Sequence, residues 1–191
     1  MEDMEEKYSR YALILILLTT IIRIYLAATI ELGVDEAHYV QYAIHPALSY
    51  YDHPPLVGYL IRFFIILIGK SFLAVRIPAI IAGIGTALML FIIGKKLYGP
   101  QAGFWAVVIF NCIPLFSAIG GISIVPDTIL CFLYLALVSV IWQIYKTGKK
   151  HIWYFAGILT GLALLTKYTA FLIYPSILLF ILLVPPMRRH L

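Results

Sequence analysis

One polar segment, residues 31–55, concentrates the carboxylates and imidazoles of this chain. It contains four of the nine acidic residues and three of the five histidines. Asp35 and Glu36 are adjacent, and Asp52 and His53 precede two prolines that restrict the local backbone. Neighbouring carboxylates repel, so at least one of them needs a cation, a hydrogen-bond donor or a proton. The segment therefore has the residue types that general acid–base chemistry requires.

Each of these side chains also has a structural interpretation. Asp35 precedes a stretch that could form about two helical turns and could cap it, although a cap does not explain the adjacent Glu36. His38 and Tyr39 lie about one turn further on and could bond to the acids or to a ligand. The Asp-His pair before the prolines could form only a hydrogen-bonded turn or, with Asp35 and His38, a metal site. The spacing matches no zinc signature such as H-E-x-x-H, so a divalent metal is allowed but not required.

Two further polar residues lie at the ends of apolar stretches. Asp127 is the only acid outside residues 31–55 and the N-terminal tail. It either complements the dipole of the helix that follows or belongs to a site. Lys167 lies between two apolar stretches, where it either binds an anion such as phosphate or extends to the membrane interface.

The rest of the chain has the composition of an integral membrane protein. Hydrophobic residues make up 63% of it, charged residues 12%, and the mean hydropathy is +0.98. A soluble domain carries about twice that charged fraction. The net charge of +5 does not indicate nucleic-acid binding, because the basic residues cluster at the ends of the apolar stretches. Cys112 and Cys131 lie inside apolar stretches, which indicates buried thiols rather than a disulfide.

The lengths of the apolar stretches predict an all-α, polytopic membrane bundle of one domain, with about six transmembrane helices. Residues 56–69 are too short to span a bilayer and carry Arg62. They predict a helix at the membrane interface, within an outer loop of residues 31–72. The predicted spans are approximately 11–30, 73–94, 101–119, 128–145, 152–167 and 169–184.

Basic residues predict the orientation of the bundle. With six alternating spans, nine clustered lysines and arginines fall on the side of the N-terminal tail, residues 1–10, which is therefore predicted to be cytoplasmic. Residues 31–55, Asp127 and Lys167 then fall on the extracytoplasmic side. The nine are Lys7, Arg10, Lys95, Lys96, Lys146, Lys149, Lys150, Arg188 and Arg189.

A set of ordered motifs resembles a known family. The motifs are VDEAHY after the first predicted span, YYDHPPLVGYL, AVRIPAIIAG, KKLYG, a Pro-Asp at the start of a later span, and GILTGLALLTKYTAF. Their order resembles glycosyltransferase family 39, the dolichyl-phosphate-mannose protein mannosyltransferase-like enzymes of the GT-C superfamily. The resemblance covers nearly the whole chain from residue 11 onward.

The resemblance implies an all-helical membrane enzyme with an extracytoplasmic active site and a polyprenyl-phosphate-linked sugar as donor. The resemblance makes three residues of this chain the catalytic candidates. Asp35 corresponds to the family's catalytic base, Glu36 lies beside it, and Asp127 corresponds to the acid of the next outer loop. An inverting displacement needs one such base to take the proton of the attacking hydroxyl or amine.

The same resemblance implies a substrate-binding set, in which Lys167 corresponds to a basic residue near the lipid phosphate. We expect His53 to assist Lys167, because a departing phosphate needs cations or hydrogen-bond donors. The acceptor would be a protein, a lipid or a glycan. Asp52 and His53 correspond to the second polar pair of the first outer loop. Tyr39, which could bond to a ligand from its position on the loop helix, completes the substrate-binding set.

Two other functions stay open at this point. One is an ion-coupled transporter subunit with Asp35, Glu36 and Asp127 along an ion pathway, although such acids are expected near the middle of the membrane. The other is a non-catalytic scaffold derived from the family. Because family members have more than six spans, we expect this chain to be an N-terminal portion of such an enzyme or a short member.

Overall fold

The computed structural model describes residues 2–115 and 121–190, and the regular structure within these ranges is entirely helical. The predicted all-α membrane class is confirmed. Two 3₁₀ helices, Tyr168–Leu172 and Pro185–His190, flank the last α-helix. The α-helices of the described residues are α1 (Glu2–Thr29), α2 (Val34–Ile44), α3 (Leu56–Ile68), α4 (Phe72–Tyr98), α5 (Pro100–Cys112), α6 (Pro126–Thr147), α7 (Ile152–Leu164) and α8 (Ile173–Leu183).

Within the described ranges, three helices are long and apolar enough to cross a membrane: Met4–Thr29 of α1, α4 and α6. The helices in the other predicted spans, α5, α7 and α8, have 13, 13 and 11 residues. A 13-residue helix is about 20 Å long, against a hydrocarbon core of about 30 Å. Residues 116–119 of the third predicted span lie outside the described ranges. Six crossings, and the position of α3 at the membrane interface, therefore stay predictions.

The ends of the long helices follow from local sequence. Ser71 caps α4 by accepting a hydrogen bond from the backbone N–H of Ala74 at 3.1 Å. Gly99 follows α4 with φ +93°, and Gly148 follows α6 with φ +66°, a region of backbone geometry that favours glycine. Pro126 occupies the first turn of α6, where its missing N–H has no cost.

Contacts between helices define two ends of the bundle. Glu5 of α1 pairs with Lys95 of α4 at 2.7 Å at one end. At the other end, the backbone N–H of Leu56 donates to the carbonyl of Leu165 at 2.9 Å, which joins α3 to the turn after α7. Residues 31–55 lie at this second end, between α1 and α3.

Candidate active site

Helix α2 begins at Val34, and Gly33, in an extended conformation, is its N-cap. The alternative that Asp35 caps this helix is therefore wrong. Asp35 and Glu36 occupy the first turn, where the helix dipole favours negative charge, and they are rotated about 100° from one another around the axis. As a result Asp35 is exposed and Glu36 is buried.

Each of the two carboxylate oxygens of Glu36 accepts two hydrogen bonds. Arg76 donates from Nε to Oε1 at 2.8 Å and from Nη2 to Oε2 at 2.6 Å. The backbone N–H groups of Gly33 and Ile124 donate to Oε2 and Oε1 at 2.9 and 3.1 Å. Burial by itself raises the pKa of Glu36, but these bonds and the Arg76 charge outweigh it and hold the pKa below its ordinary value. Glu36 is thus ionised, and its hydrogen bonds connect α2 to α4 and to the segment before α6.

Arg76 is a central residue that the sequence interpretation missed. Besides Glu36, it donates to the carbonyl oxygens of Ala27, Ile30 and Glu31 at 3.2, 2.6 and 2.9 Å. All five of its N–H groups are therefore used, and carbonyls at the end of α1 gain partners that the helix itself does not supply. An arginine in the first turns of a long apolar helix was the available signal, since such a residue must find a partner.

Asp35 has the opposite environment. Its side chain is exposed and has no hydrogen-bond or ion-pair partner in the described part of the chain. A free carboxylate in the first turn of a helix can accept a proton from a bound molecule. Asp35 is thus chemically available, whereas Glu36 is not.

Asp52 lies at the centre of a second cluster. Its Oδ1 accepts a hydrogen bond from the Tyr42 hydroxyl, and its Oδ2 lies 3.1 Å from His38 Nε2 and 3.0 Å from His53 Nδ1. The Tyr42 bond and both imidazoles outweigh burial and hold the pKa of Asp52 well below its ordinary value. In the described residues, no group of three or more His, Cys, Asp and Glu side chains forms a metal site. Sequence spacing could have revealed Tyr42, since it lies one turn from His38 on the same helix face.

The loop that carries Asp52 is tied to the turn after α7. The hydroxyl of Tyr168 donates to the Tyr50 carbonyl at 3.0 Å and lies 2.8 Å from the Ser49 hydroxyl. The Tyr50 ring stacks on Tyr42 with centroids 3.6 Å apart. These contacts bring two segments together that are more than a hundred residues apart in the chain.

Asp127 and Lys167, which the sequence places at two different predicted spans, form an ion pair. Lys167 Nζ donates to Oδ1 and Oδ2 of Asp127 at 2.8 and 2.9 Å. The side chains are 57% exposed for Asp127 and 27% for Lys167, so the pair is accessible. Val125, not Asp127, is the N-cap of α6.

Tyr39 lies among these groups. It is 7% exposed, and its ring meets the rings of His53 and Tyr42 edge-on at 5.6 Å. Burial, followed by the charges of Asp52, Asp35 and Asp127, raises the pKa of Tyr39 to about 12. The charges of these three carboxylates thus act on one phenol, and Glu36, which is bonded to Arg76, is not among them.

An apolar groove of about 470 Å³ runs between α6 and α8. Tyr134 lines one wall and lies two turns from Asp127 on the same helix face. The other wall begins at Leu172, shortly after Lys167. Further along the two helices, the ring centroids of Tyr145 and Phe180 lie 6.4 Å apart. The near end of the groove thus lies about two helical turns along α6 from Asp127 of the exposed ion pair.

Comparison with known proteins identifies relatives of this chain. The family model described as dolichyl-phosphate-mannose-protein mannosyltransferase matches residues 52–191. The chain is similar to lipid A galacturonosyltransferase RgtD of Rhizobium johnstonii, at 26% identity over 156 residues that cover 81% of the chain and 33% of the relative. It is also similar to the protein named "Putative mannosyltransferase YkcB" of Bacillus subtilis, at 27% identity over 165 residues, 83% of the chain and 22% of the relative. The chain spans only about a third and a fifth of the lengths of these relatives. No solved structure matches it.

Proposed function

The chain belongs to the dolichyl-phosphate-mannose-protein mannosyltransferase family, and from this premise we propose that it carries the catalytic end of a membrane glycosyltransferase. The donor is a sugar linked to a polyprenyl phosphate. The acceptor is a hydroxyl or amine of a protein, lipid or glycan, and transfer takes place on the extracytoplasmic face.

The observation that carries the proposal is Asp35, an exposed carboxylate without a partner in the described ranges, at the end of the bundle where Asp52, Asp127 and Lys167 lie. In the proposed step, Asp35 takes the proton of the acceptor as the acceptor attacks the anomeric carbon. The bond from that carbon to the phosphate oxygen breaks on the opposite face, so the configuration inverts. The phosphate leaves with the bonding electron pair.

Glu36 has a positioning role in this proposal. Its oxygens are occupied by Arg76 and by backbone N–H groups, so it holds the first turn of α2 rather than exchanging protons. Asp35, which precedes it, is thereby fixed in orientation.

Lys167 is the proposed site for the donor phosphate. An ammonium group binds phosphate as a point charge, and the apolar groove, one wall of which begins at Leu172 shortly after Lys167, can take the polyprenyl chain. When the phosphate binds Lys167, it either replaces Asp127 as the partner of this ammonium group or bonds to it together with Asp127. His53 has Nδ1 against Asp52, which leaves Nε2 for a second phosphate contact. Asp52 and Tyr39 line the part of the site that binds the donor sugar, and they orient the sugar there.

Asp35→Asn in the full-length protein tests the base. The amide keeps the size of the side chain but cannot take a proton, so turnover of a polyprenyl-phosphate sugar should fall by about 10²-fold or more. Donor affinity and thermal midpoint should change little. Glu31→Gln, which alters another exposed carboxylate of the same loop, is the matched control. Normal turnover in Asp35→Asn would remove Asp35 as the base and shift that role to Asp127 or Asp52, whereas absence of turnover in the wild type would favour the scaffold alternative.

Cysteine labelling tests the orientation. In a background without Cys112 and Cys131, an impermeant maleimide should label Ser49→Cys in intact cells and Lys149→Cys only after permeabilisation. The reverse pattern would place the site on the cytoplasmic face.

A transporter subunit has less support, because Asp35, Glu36 and Asp127 lie in first turns of helices and not near the middle of a span.

A further inference from the structure

We propose that the chain has a second ligand site, separate from the candidate active site, that binds an anionic phospholipid by its phosphate. The site is a cavity of about 800 Å³ between the end of α1, α2, α3 and the start of α4. Its walls are apolar side chains, among them Leu32, Val40 and Ile66, and its charged groups are Arg62 and Lys70. We call it the α2–α4 cavity.

The charges of the α2–α4 cavity are unbalanced. Arg62 Nη1 donates to the carbonyl of Ala43 at 2.9 Å, but neither Arg62 nor Lys70 forms an ion pair in the described part of the chain. No acidic side chain lines the cavity. A guanidinium and an ammonium group facing one cavity are the donor set that recognises phosphate. The fitting ligand therefore carries an anionic phosphate.

The apolar walls select a lipid over a small anion. Ala28, in the last turn of α1, and Phe72, the first residue of α4, both line the cavity. It thus lies where two membrane-spanning helices end, at the depth of lipid headgroups. On α3, Ile66 and Leu67 are 73% and 64% exposed, which provides apolar surface for acyl chains next to the cations.

The α2–α4 cavity is separate from the candidate active site because the two use different sides of α2. His38 and Tyr42 contact Asp52, whereas Val40 and Ile44 line the cavity and are rotated about 200° from them. The cavity shares no lining residue with the groove between α6 and α8. A lipid in it would hold α3 against α4 without occupying the donor path.

Binding of phosphatidylglycerol to the full-length protein in detergent, followed by native mass spectrometry, tests the site. Wild-type protein should retain phosphatidylglycerol in preference to phosphatidylcholine. The double variant R62Q/K70Q should bind phosphatidylglycerol at least about tenfold more weakly, because two charge-assisted bonds are lost. The control K149Q/K150Q removes the same charge from exposed lysines beyond the far end of α6 and should bind normally. Sugar transfer should be unaffected in both variants.

Three results of the lipid-binding measurement itself would overturn the inference. One is equal phosphatidylglycerol affinity in wild type and R62Q/K70Q, and another is equal retention of phosphatidylcholine. The third is displacement of the lipid by inorganic phosphate at matched concentration, which would show a small-anion site.

If polyprenyl phosphate competes and sugar transfer falls in R62Q/K70Q, the cavity belongs to the donor path and is not a separate site. If R62Q/K70Q does not fold, Val40→Trp at the half-buried wall of α2 fills the cavity while keeping both charges; it should abolish lipid retention, and unchanged retention would refute the site.

Discussion

Two carboxylate–cation pairs lie at the same end of this bundle, and they differ in burial. In the Glu36–Arg76 pair the side chains are only 3–4% exposed, and backbone groups fill every remaining hydrogen-bonding position. In the Asp127–Lys167 pair the side chains are 57% and 27% exposed, and within the described ranges their charged groups bond only to each other. A buried pair is costly to break, whereas an exposed pair contributes little to stability and can exchange partners. The first is thus suited to hold the site and the second to receive a ligand.

The largest expected effect comes from breaking the buried pair. Glu36→Gln leaves Arg76 charged and unpaired in the interior, so the free energy of unfolding should fall by about 3–5 kcal/mol. Denaturant unfolding in detergent, followed by circular dichroism, measures this. Asp127→Asn is the matched control on the exposed pair and should cost less than about 1 kcal/mol. Equal losses in the two variants would remove the distinction between the pairs.

A double variant sharpens the same point. Glu36→Gln combined with Arg76→Gln removes both charges, so it should be more stable than Glu36→Gln alone. The coupling free energy from the double-mutant cycle measures the direct interaction. Additive losses would show that the two side chains act independently of each other.

The exposed pair should matter for the donor instead. Lys167→Gln should weaken binding of a polyprenyl-phosphate sugar by about tenfold, since one charge-assisted bond to phosphate is lost. The thermal midpoint should change little. Lys167→Arg keeps the charge and should retain most of the affinity. An unchanged KM for the donor in Lys167→Gln would place the phosphate elsewhere, and His53 would be the next residue to test.

The smallest effect concerns the phenol near the acids. The pKa of Tyr39 is raised from 10.0 to about 12 by burial first and then by Asp52, Asp35 and Asp127. Asp35→Asn should lower this pKa slightly, and Glu36→Gln should not, because Arg76 compensates the charge of Glu36. Tyrosinate absorbance, compared with and without Tyr39→Phe, measures the value. A larger shift from Glu36→Gln would mean that the buried pair is not neutral at this distance.

Alkaline stability follows from the same shift. A raised pKa in the folded state means that the stabilising contribution of neutral Tyr39 is present below pH 10.0 and is lost as the pH rises towards 12. The thermal midpoint of wild type should therefore fall more steeply than that of Tyr39→Phe over this window. Parallel curves would show that Tyr39 does not titrate differently in the folded protein.

Several features of the molecule were predictable from local sequence. The 13-residue helix α3 and the long apolar helices were expected from hydropathy, since apolar length is a property of a short window. The sequence also predicted a break in the apolar residues 152–184 at Lys167, and the structure has the 3₁₀ helix Tyr168–Leu172 between α7 and α8. The exact helix ends, Leu164 for α7 and Ile173 for α8, were not predictable, because hydropathy does not register where helical hydrogen bonding ends. The number of crossings stays a prediction.

For the adjacent residues Asp35 and Glu36, the sequence did not show which carboxylate has a partner. Their identities and position indicated that at least one carboxylate needed a partner. Which one has it depends on Arg76, 40 residues further along the chain, and on the backbone N–H of Ile124, a further 48 residues on. Only packing of α2 against α4 and the segment before α6 decides that Glu36 is buried and Asp35 is free.

Composition and motif order alone determined the membrane class, the family and the residue types of the site, because these depend on which residues are present and in what order. The tertiary structure decided the partners: Lys167 with Asp127 across 40 residues, and Tyr42 and His38 with Asp52 across a loop. It also placed Arg62 and Lys70 on one cavity. Hydrogen bonds and ion pairs act over a few ångströms, so the distances that define them exist only once the helices have packed.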